Sequence, residues 1–393
     1  MRLSDRATGL GQVLDRWRPI WEARPYLALP VPWEAAHPEL ADWLRALPAE
    51  SVEAYERTGS APIPPHLAPW RAAVAELTHL PSFDPGELPV SPELRRGMSP
   101  RKWSQIAALA GCAVRAAEGA DSWLDWCAGK GHLGRTLAVL DGRPAHLVEL
   151  RAELCASGAQ RAAVLGADCT FHQADALSAD GAAHLSAGRF AVGLHACGQL
   201  SDALLRVAVA RGAAGLAVSP CCPHNIVGDT WTAWSTESPP RLDATALRLA
   251  TAEEVTATQS SRKLRIREME YRWAVDLLRR EADGASSYRS LTPCRRPWFR
   301  GTFEAFVDSA QREHHLRLPA GWTAAPVLER ARLHVHTARA LALARADFRR
   351  AMEVFVWADR AAWLADQGYA TRLGTFIARQ YTPRNLLLVA QRC

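Results

Sequence analysis

Five short apolar runs recur about every 20–25 residues between positions 120 and 220, with helical segments between them. The runs are SWLDW (122–126), AHLVEL (145–150), CTFHQA (169–174), FAVGLHA (190–196) and AAGLAVS (213–219), separated by helical stretches near 132–140, 151–165 and 201–211. Strands that alternate with helices predict a parallel sheet covered by helices on both faces, because parallel neighbours need a long crossover. Ahead of the first run, Ser99-Pro100 opens a helix, with Ser at the cap and Pro at the first helical position. Its apolar face is Ile106, Leu109, Ala110, Ala113 and Val114. At the far end, TRLGTFIA (371–378) and NLLLVAQ (385–391) flank a turn around Tyr381, Thr382 and Pro383, and read as a hairpin that closes the sheet.

The chain has 393 residues, too many for one ordinary domain. Residues 1–95 read as a helical, Pro-punctuated N-terminal region, and 80–94 (LPSFDPGELPVSPEL) as a linker. Residues 96–393 form the sheet-bearing domain, interrupted by a helical insertion at about 225–350. Long helices are predicted at about 263–282 and 325–366, with the loop TPCRRPWFRG (292–301) between them. An insertion of that size is too long for a simple crossover and reads as a second, substrate-binding layer.

Hydrophobic residues make up 48% and charged residues 22%, which excludes a long disordered chain. No apolar stretch reaches the length of about eighteen residues that a membrane span needs, and the N-terminus lacks the apolar core of a signal peptide. Nine cysteines, an odd number, read as reduced thiols, so a cytoplasmic protein with no membrane partner is expected. Net charge is −3 over residues 1–96, zero over 97–230 and +9 over 231–393. The positive excess suits a polyanion such as RNA. Arg is also this chain's default cation, since Lys102, Lys130 and Lys263 are its only lysines. Oligomeric state is not legible.

The motif that most narrows the chemistry is DWCAGKGHLG (125–134), where Gly129, Gly131 and Gly134 satisfy GxGxxG between a strand and a helix. Two cofactor classes compete for such a loop. A dinucleotide domain places an acidic residue about twenty positions on, against the ribose, and Glu149 fits. Glu149 fits a nucleoside-binding methyltransferase equally well, since any adenosine ribose offers hydroxyls to a carboxylate. Asp125, placed to meet a cationic amino group, and Asp175, placed to read adenine's amine, favour the second class, as does the terminal hairpin.

The strings MSPRKWSQI (98–106), DWCAGKGHLG, VGLHACGQLSD (192–202), SPCCPH (219–224), REMEYRWAVDLL (267–278) and YTPRNLLLVAQ (381–391) resemble, in order, the class I methyltransferases grouped with methyltransferase-like protein 25, the methyltransferase domain 32 type. That group includes a tRNA 2′-O-methyltransferase acting in the acceptor stem. The resemblance covers about residues 98–393, loosely in the inserted helices, and implies an α/β, Rossmann-like sheet of parallel strands plus a terminal antiparallel hairpin. It implies S-adenosylmethionine as cofactor, with Asp125, Cys127, Gly129 and Gly131 along the methionine moiety, Glu149 on the ribose and Asp175 on adenine. Lys102, in a region the family keeps basic, is a further candidate for the cofactor carboxylate or a substrate phosphate. This chain departs from the family at Cys127, where Gly is usual.

His195, Cys197 and Gly198 follow the fourth strand, and Cys221, Cys222 and His224 the fifth, so both sets are expected in one crevice. His195, Cys197, Cys222 and His224 are the catalytic candidates, with a histidine as proton acceptor, and His195 is also a cofactor candidate. Metal is not expected, because the spacing is not CxxC and adjacent Cys221 and Cys222 should not both point inward. The absence of an NPPY-type string leans toward oxygen or another nucleophile rather than an amine. The functional expectation is a methyltransferase acting on tRNA or rRNA, the alternatives being a protein or small-molecule substrate, or a cofactor-binding module without turnover. Candidate phosphate contacts lie in segments 262–272 and 295–300: Arg262, Lys263, Arg265, Arg267, Arg295, Arg296 and Arg300. Trp298 and Phe299 beside them are candidates for stacking on a base.

Overall fold

The computed structural model describes residues 1–87, 92–252 and 257–393, so residues 88–91 of the expected linker lie outside the described residues. Among those residues, seven strands make one sheet: β1 (Ser122–Trp126), β2 (Ala145–Glu149), β3 (Cys169–Gln173), β4 (Arg189–Cys197), β5 (Gly215–Cys221), β6 (Tyr369–Thr375) and β7 (Leu386–Arg392). Their order is β3-β2-β1-β4-β5-β7-β6. The first five run parallel, and β7 lies antiparallel to both β5 and β6, so the parallel sheet with a terminal hairpin read from the sequence is the one observed. Strand order reverses between β1 and β4, and in open sheets of this kind ligands bind at the carboxyl ends beside that reversal.

Every residue of β1 is buried, as befits a strand covered on both faces. Alternation sends Trp123 into a core with Ile106, Leu109, Leu133 and Leu137, and its Nε1 donates to Asp141 at 3.0 Å. Trp126, of opposite parity to Trp123, donates from Nε1 to the Leu200 carbonyl at 2.9 Å. The helix Pro100–Ala116 starts as its Ser-Pro signal predicts, with Ser99 Oγ accepting the Lys102 N–H at 3.2 Å.

The chain divides into two compact units, one of residues Met1–Arg16, Ala72–Ala252 and Phe348–Cys393, the other of Trp17–Arg71 and Glu253–Asp347. This division crosses the boundary expected at residue 95 and starts the insertion later than residue 225. In the first unit, helix Leu3–Arg16 packs along helix Phe348–Asp366. Residues 231–236 stay with the sheet because Asp359, fully buried, accepts the N–H groups of Trp234 (2.9 Å), Ser235 (3.1 Å) and Thr236 (2.8 Å). The neighbouring Arg360 is buried too. It forks onto Asp202 with two bonds of 2.9 Å and lies over the rings of Trp231 and Trp234.

The second unit has its own core around Tyr271, Trp273, Phe299, Phe303 and Phe306. The single helix expected at 325–366 is two, Ala324–Ala346 and Phe348–Asp366. Asp347, at the break, accepts from Arg71 at 2.7 Å and from Trp70 Nε1 at 2.9 Å. Phe299 is 1% exposed, with Arg272 over its ring, so it is a core residue and not a surface for base stacking. The sequence shows an aromatic in an Arg-rich loop and not the hydrophobic cluster that holds it. Trp298 is half-buried against the same cluster.

Removing the Asp359 carboxylate strips a buried guanidinium of one partner and three backbone N–H groups of their acceptor. Asp359→Ala should therefore cost about 3 kcal/mol or more, read as a lower urea midpoint of the full chain by tryptophan fluorescence.

Candidate active site at the strand ends

Only four non-glycine residues among those described have positive φ, and three of them end strands of the sheet: Cys127 after β1 (φ 60°), His195 near the end of β4 (φ 61°) and Cys222 after β5 (φ 47°). The fourth is His315. A left-handed backbone costs an ordinary residue about 1–3 kcal/mol and persists only where its surroundings enforce it. The turn at Cys127 is braced from β2, His195 is held by Gln105 on helix Pro100–Ala116, and the Cys222 carbonyl accepts the Asn225 N–H within its own loop.

The glycine loop is braced from both sides. The Ala128 N–H donates to Val148 O at 2.9 Å, and the Gly129 N–H to Glu149 Oε2 at 2.8 Å. Beneath it, Asp125 Oδ2 accepts the Gly134 N–H at 2.8 Å in the first turn of helix His132–Asp141. The glycines serve different ends. A Cβ on Gly131 would lie 2.5 Å from Leu147 and 2.6 Å from Phe171, so Gly131 lets the loop close onto β2 and β3, and its N–H is spent on Ala128 O at 2.9 Å. A Cβ on Gly129 would meet nothing within 4 Å, which leaves the loop open to a ligand at that point.

The carboxylates around this opening are not idle. Glu149 Oε1 accepts the Arg151 N–H at 3.0 Å, and each oxygen keeps a lone pair for a ribose hydroxyl. Asp175, exposed after β3, accepts the Leu177 N–H at 2.9 Å through Oδ1 and turns the chain there. Burial pushes the Asp125 carboxyl up to about 7, against the Gly134 N–H that favours its charge and with a smaller push from Glu149. Cys127 is raised to about 12 by burial and then by Asp125, Glu149, Cys197 and Asp175, so its thiol lies in the field of residues from the ends of β1, β2, β3 and β4. Lys102 is exposed on its helix, and burial of its stem together with Lys130 and Arg135 lowers its ammonium. An opening at Gly129 ringed by carboxylates fits the cationic, hydroxyl-rich S-adenosylmethionine.

At β4 the pairing register with β5 slips between Leu194 and Ala196, a bulge that redirects His195. Its Nε2 lies 2.7 Å from Gln105 Oε1, while Gln105 Nε2 donates to Arg101 O at 3.3 Å. Gln105 therefore presents its oxygen, which holds the proton on Nε2 and leaves Nδ1 as an acceptor. Burial, then Arg101, Arg384 and Lys102, lower the imidazole and keep it neutral. Gln105 is missing from the sequence reading, because nothing marks a lone Gln on the buried face of a helix as a partner for a histidine ninety residues on.

The expectation that Cys221 and Cys222 point apart is overturned. The Sγ atoms of Cys197, Cys221 and Cys222 all lie within 4.8 Å of one another, because the left-handed turn at Cys222 breaks strand alternation. Cys197 and Cys221 are 2.7 Å apart, and each thiol reaches His195 O at 3.3 Å. The hydrogen bond from Cys221 lowers Cys197 to about 6 and raises Cys221. His224 stands apart from this group, with Nδ1 buried and lacking a hydrogen-bond partner among the described residues. The loop is tied down by Asn225, whose N–H donates to Cys222 O and whose carbonyl accepts the Gln199 N–H, both at 3.0 Å.

Residues 101–229 match a methyltransferase domain. The match runs from helix Pro100–Ala116 to just beyond β5, so it takes in all the strand ends described above. It supports a class I methyltransferase. Two solved structures are similar to part of the chain. A crystal structure of an rRNA methylase from Streptococcus thermophilus is 14% identical over 31% of this chain and 70% of its own, with a TM-score of 0.24. A SAM-dependent methyltransferase from Aquifex aeolicus is 15% identical over 35% of this chain and 72% of its own, with a TM-score of 0.25. Similarity at that level bears on neither substrate nor mechanism. No curated protein matches the chain.

Because Asp125 titrates near 7, it must lose a proton below that pH before it can meet a cationic amino group. Affinity for S-adenosylmethionine should fall about tenfold per pH unit below 7 and level off above it. Calorimetry across that range should find Asp125→Asn weak and nearly flat.

Proposed function

We propose that this chain transfers the methyl group of S-adenosylmethionine to RNA, and that its kin are the methyltransferases grouped with methyltransferase-like protein 25. The observation that carries the donor half is the Gly129 turn, open on one side and pinned on the other by the Glu149 carboxylate. The sulfonium of the donor supplies an already activated methyl group. What remains for the protein is to hold donor and nucleophile in line and to exclude water. On this reading Glu149 holds the ribose, Asp175 the adenine amine, and Asp125 the amino group. His195, with Nδ1 left as acceptor, takes the proton of a substrate hydroxyl.

The RNA half rests on charge. The segment 231–393 carries the whole positive excess of +9. Of the candidate phosphate contacts, Lys263, Arg265, Arg267, Arg295, Arg296 and Arg300 are exposed, whereas Arg262 is half-buried and donates to Ala257 O. A methyl-labelled donor given to the chain with total RNA, protein and small-molecule fractions tests the reading directly. Label in RNA supports it, and label confined to protein or small molecules replaces RNA as the substrate.

Two outcomes follow from the assignments. Glu149→Ala should weaken S-adenosylmethionine binding by about 1.5–3 kcal/mol in calorimetry, through loss of charge-assisted hydrogen bonds. RNA affinity should fall steeply with salt. Replacing Arg295, Arg296 and Arg300 by Ala should reduce the log–log slope by about 2–3 if each neutralises a phosphate, with cofactor affinity nearly unchanged.

A further inference from the structure

Cys197 and Cys221 are register partners at the last rung of the parallel pair β4–β5, which brings their thiols together. Cys222 comes next in the chain and, in an extended backbone, would face the other way. Its φ of 47° turns it back, and the three sulfur atoms form one group within 4.8 Å. Glycine would adopt that φ without strain, so a Cys held there keeps a strained turn in exchange for the placement of its thiol. The frame around the group is fixed. The Gly198 N–H donates to Cys221 O, and the Asn225 N–H to Cys222 O, both at 3.0 Å. Cys221 is buried, while Cys197 and Cys222 are half-buried, so the group has a closed side and an accessible one.

We propose that Cys197, Cys221 and Cys222 bind a divalent thiophilic cation, Zn²⁺, through three thiolates, with the fourth position left to water or a small ligand. Three soft sulfur donors select a metal of this class over hard cations. No other His, Cys, Asp or Glu donor joins the group among the described residues, and three protein ligands with one open position is the pattern of a reactive zinc site, not a closed structural one. Zinc–sulfur bonds of about 2.3 Å in tetrahedral geometry set sulfurs about 3.8 Å apart. The Cys197–Cys221 contact of 2.7 Å would open by about an ångström, within reach of side-chain torsions. On binding, three Zn–S bonds form, and each thiol still protonated releases its proton to solvent. The site stands on sulfur geometry and does not rest on the methyl-donor reading.

The test uses the full chain, reduced, stripped with a chelator and titrated with ZnCl2 and separately with CoCl2. The expected result is one equivalent per chain, proton release on binding, and cobalt absorption with thiolate charge transfer and tetrahedral d–d bands. Cys197→Ser and Cys222→Ser should each weaken Zn²⁺ binding by about a hundredfold or more, and Cys393→Ser should leave it unchanged. Circular dichroism and S-adenosylmethionine calorimetry on the same variants report whether they are folded. The proposal is overturned if there is no saturable one-equivalent binding, if the cobalt spectrum lacks thiolate charge transfer, or if Cys222→Ser binds as the parent does. It is equally overturned if Cys197 and Cys221 form a disulfide whose reduced form takes no metal. A chain that binds zinc but not the methyl donor counts against the donor reading alone, and the converse against the metal site alone.

Discussion

A parallel strand cannot return directly to its neighbour, so the chain must leave each carboxyl end abruptly and enter a helix. In this molecule β1, β4 and β5 end in or beside left-handed turns, at Cys127, His195 and Cys222, and the imidazole and the three clustered thiols sit on or beside them. The turns are interlocked. The loop after β5 accepts hydrogen bonds from the start of the helix after β4, and the loop after β1 donates one to the carboxylate that ends β2. The crevice is therefore one hydrogen-bonded rim, set at the point where strand order reverses.

The rim divides by chemistry. Toward β1, β2 and β3 it offers carboxylates: Asp125 beneath the loop, Glu149 pinned to it and Asp175 at its outer edge. Toward β4 and β5 it offers sulfur and a neutral imidazole, with Gln105 fixing the ring's tautomer. Acidic groups suit the cationic, hydroxylated part of a nucleoside donor. Burial raises the Asp125 carboxyl and lowers the His195 imidazole, in each case disfavouring the charged form.

The parallel sheet was legible because five strands of high apolar content recur at crossover spacing, and the terminal hairpin because a Pro-bearing turn separates two apolar runs. The glycine loop was legible as a turn, but the separate reasons for Gly129 and Gly131 were not. One faces open space, and the other faces Leu147 and Phe171 from strands further along the chain. The orientation of Cys222 is not legible, because a positive φ just past β5 ends the strand alternation that sequence spacing implies. The break at Asp347 was hidden by unbroken helical periodicity on both sides, since what ends the helix is a contact with Arg71 and Trp70. Phe299 shows the same limit, because burial by distant partners leaves no local mark.

The chain passes between its two units four times, at Arg16/Trp17, Arg71/Ala72, Ala252/Glu253 and Asp347/Phe348. The first helix, Leu3–Arg16, packs along Phe348–Asp366, near the other end of the sequence. During synthesis, Leu3–Arg16 meets the segment around Leu77 early, through Arg6 and Gly9, but gains its helix partner only once Phe348–Asp366 has been made. The central strand order can form before that, but the hairpin and the helix that cover it arrive last. A chain wired this way has high contact order and leaves apolar surface exposed through most of its translation.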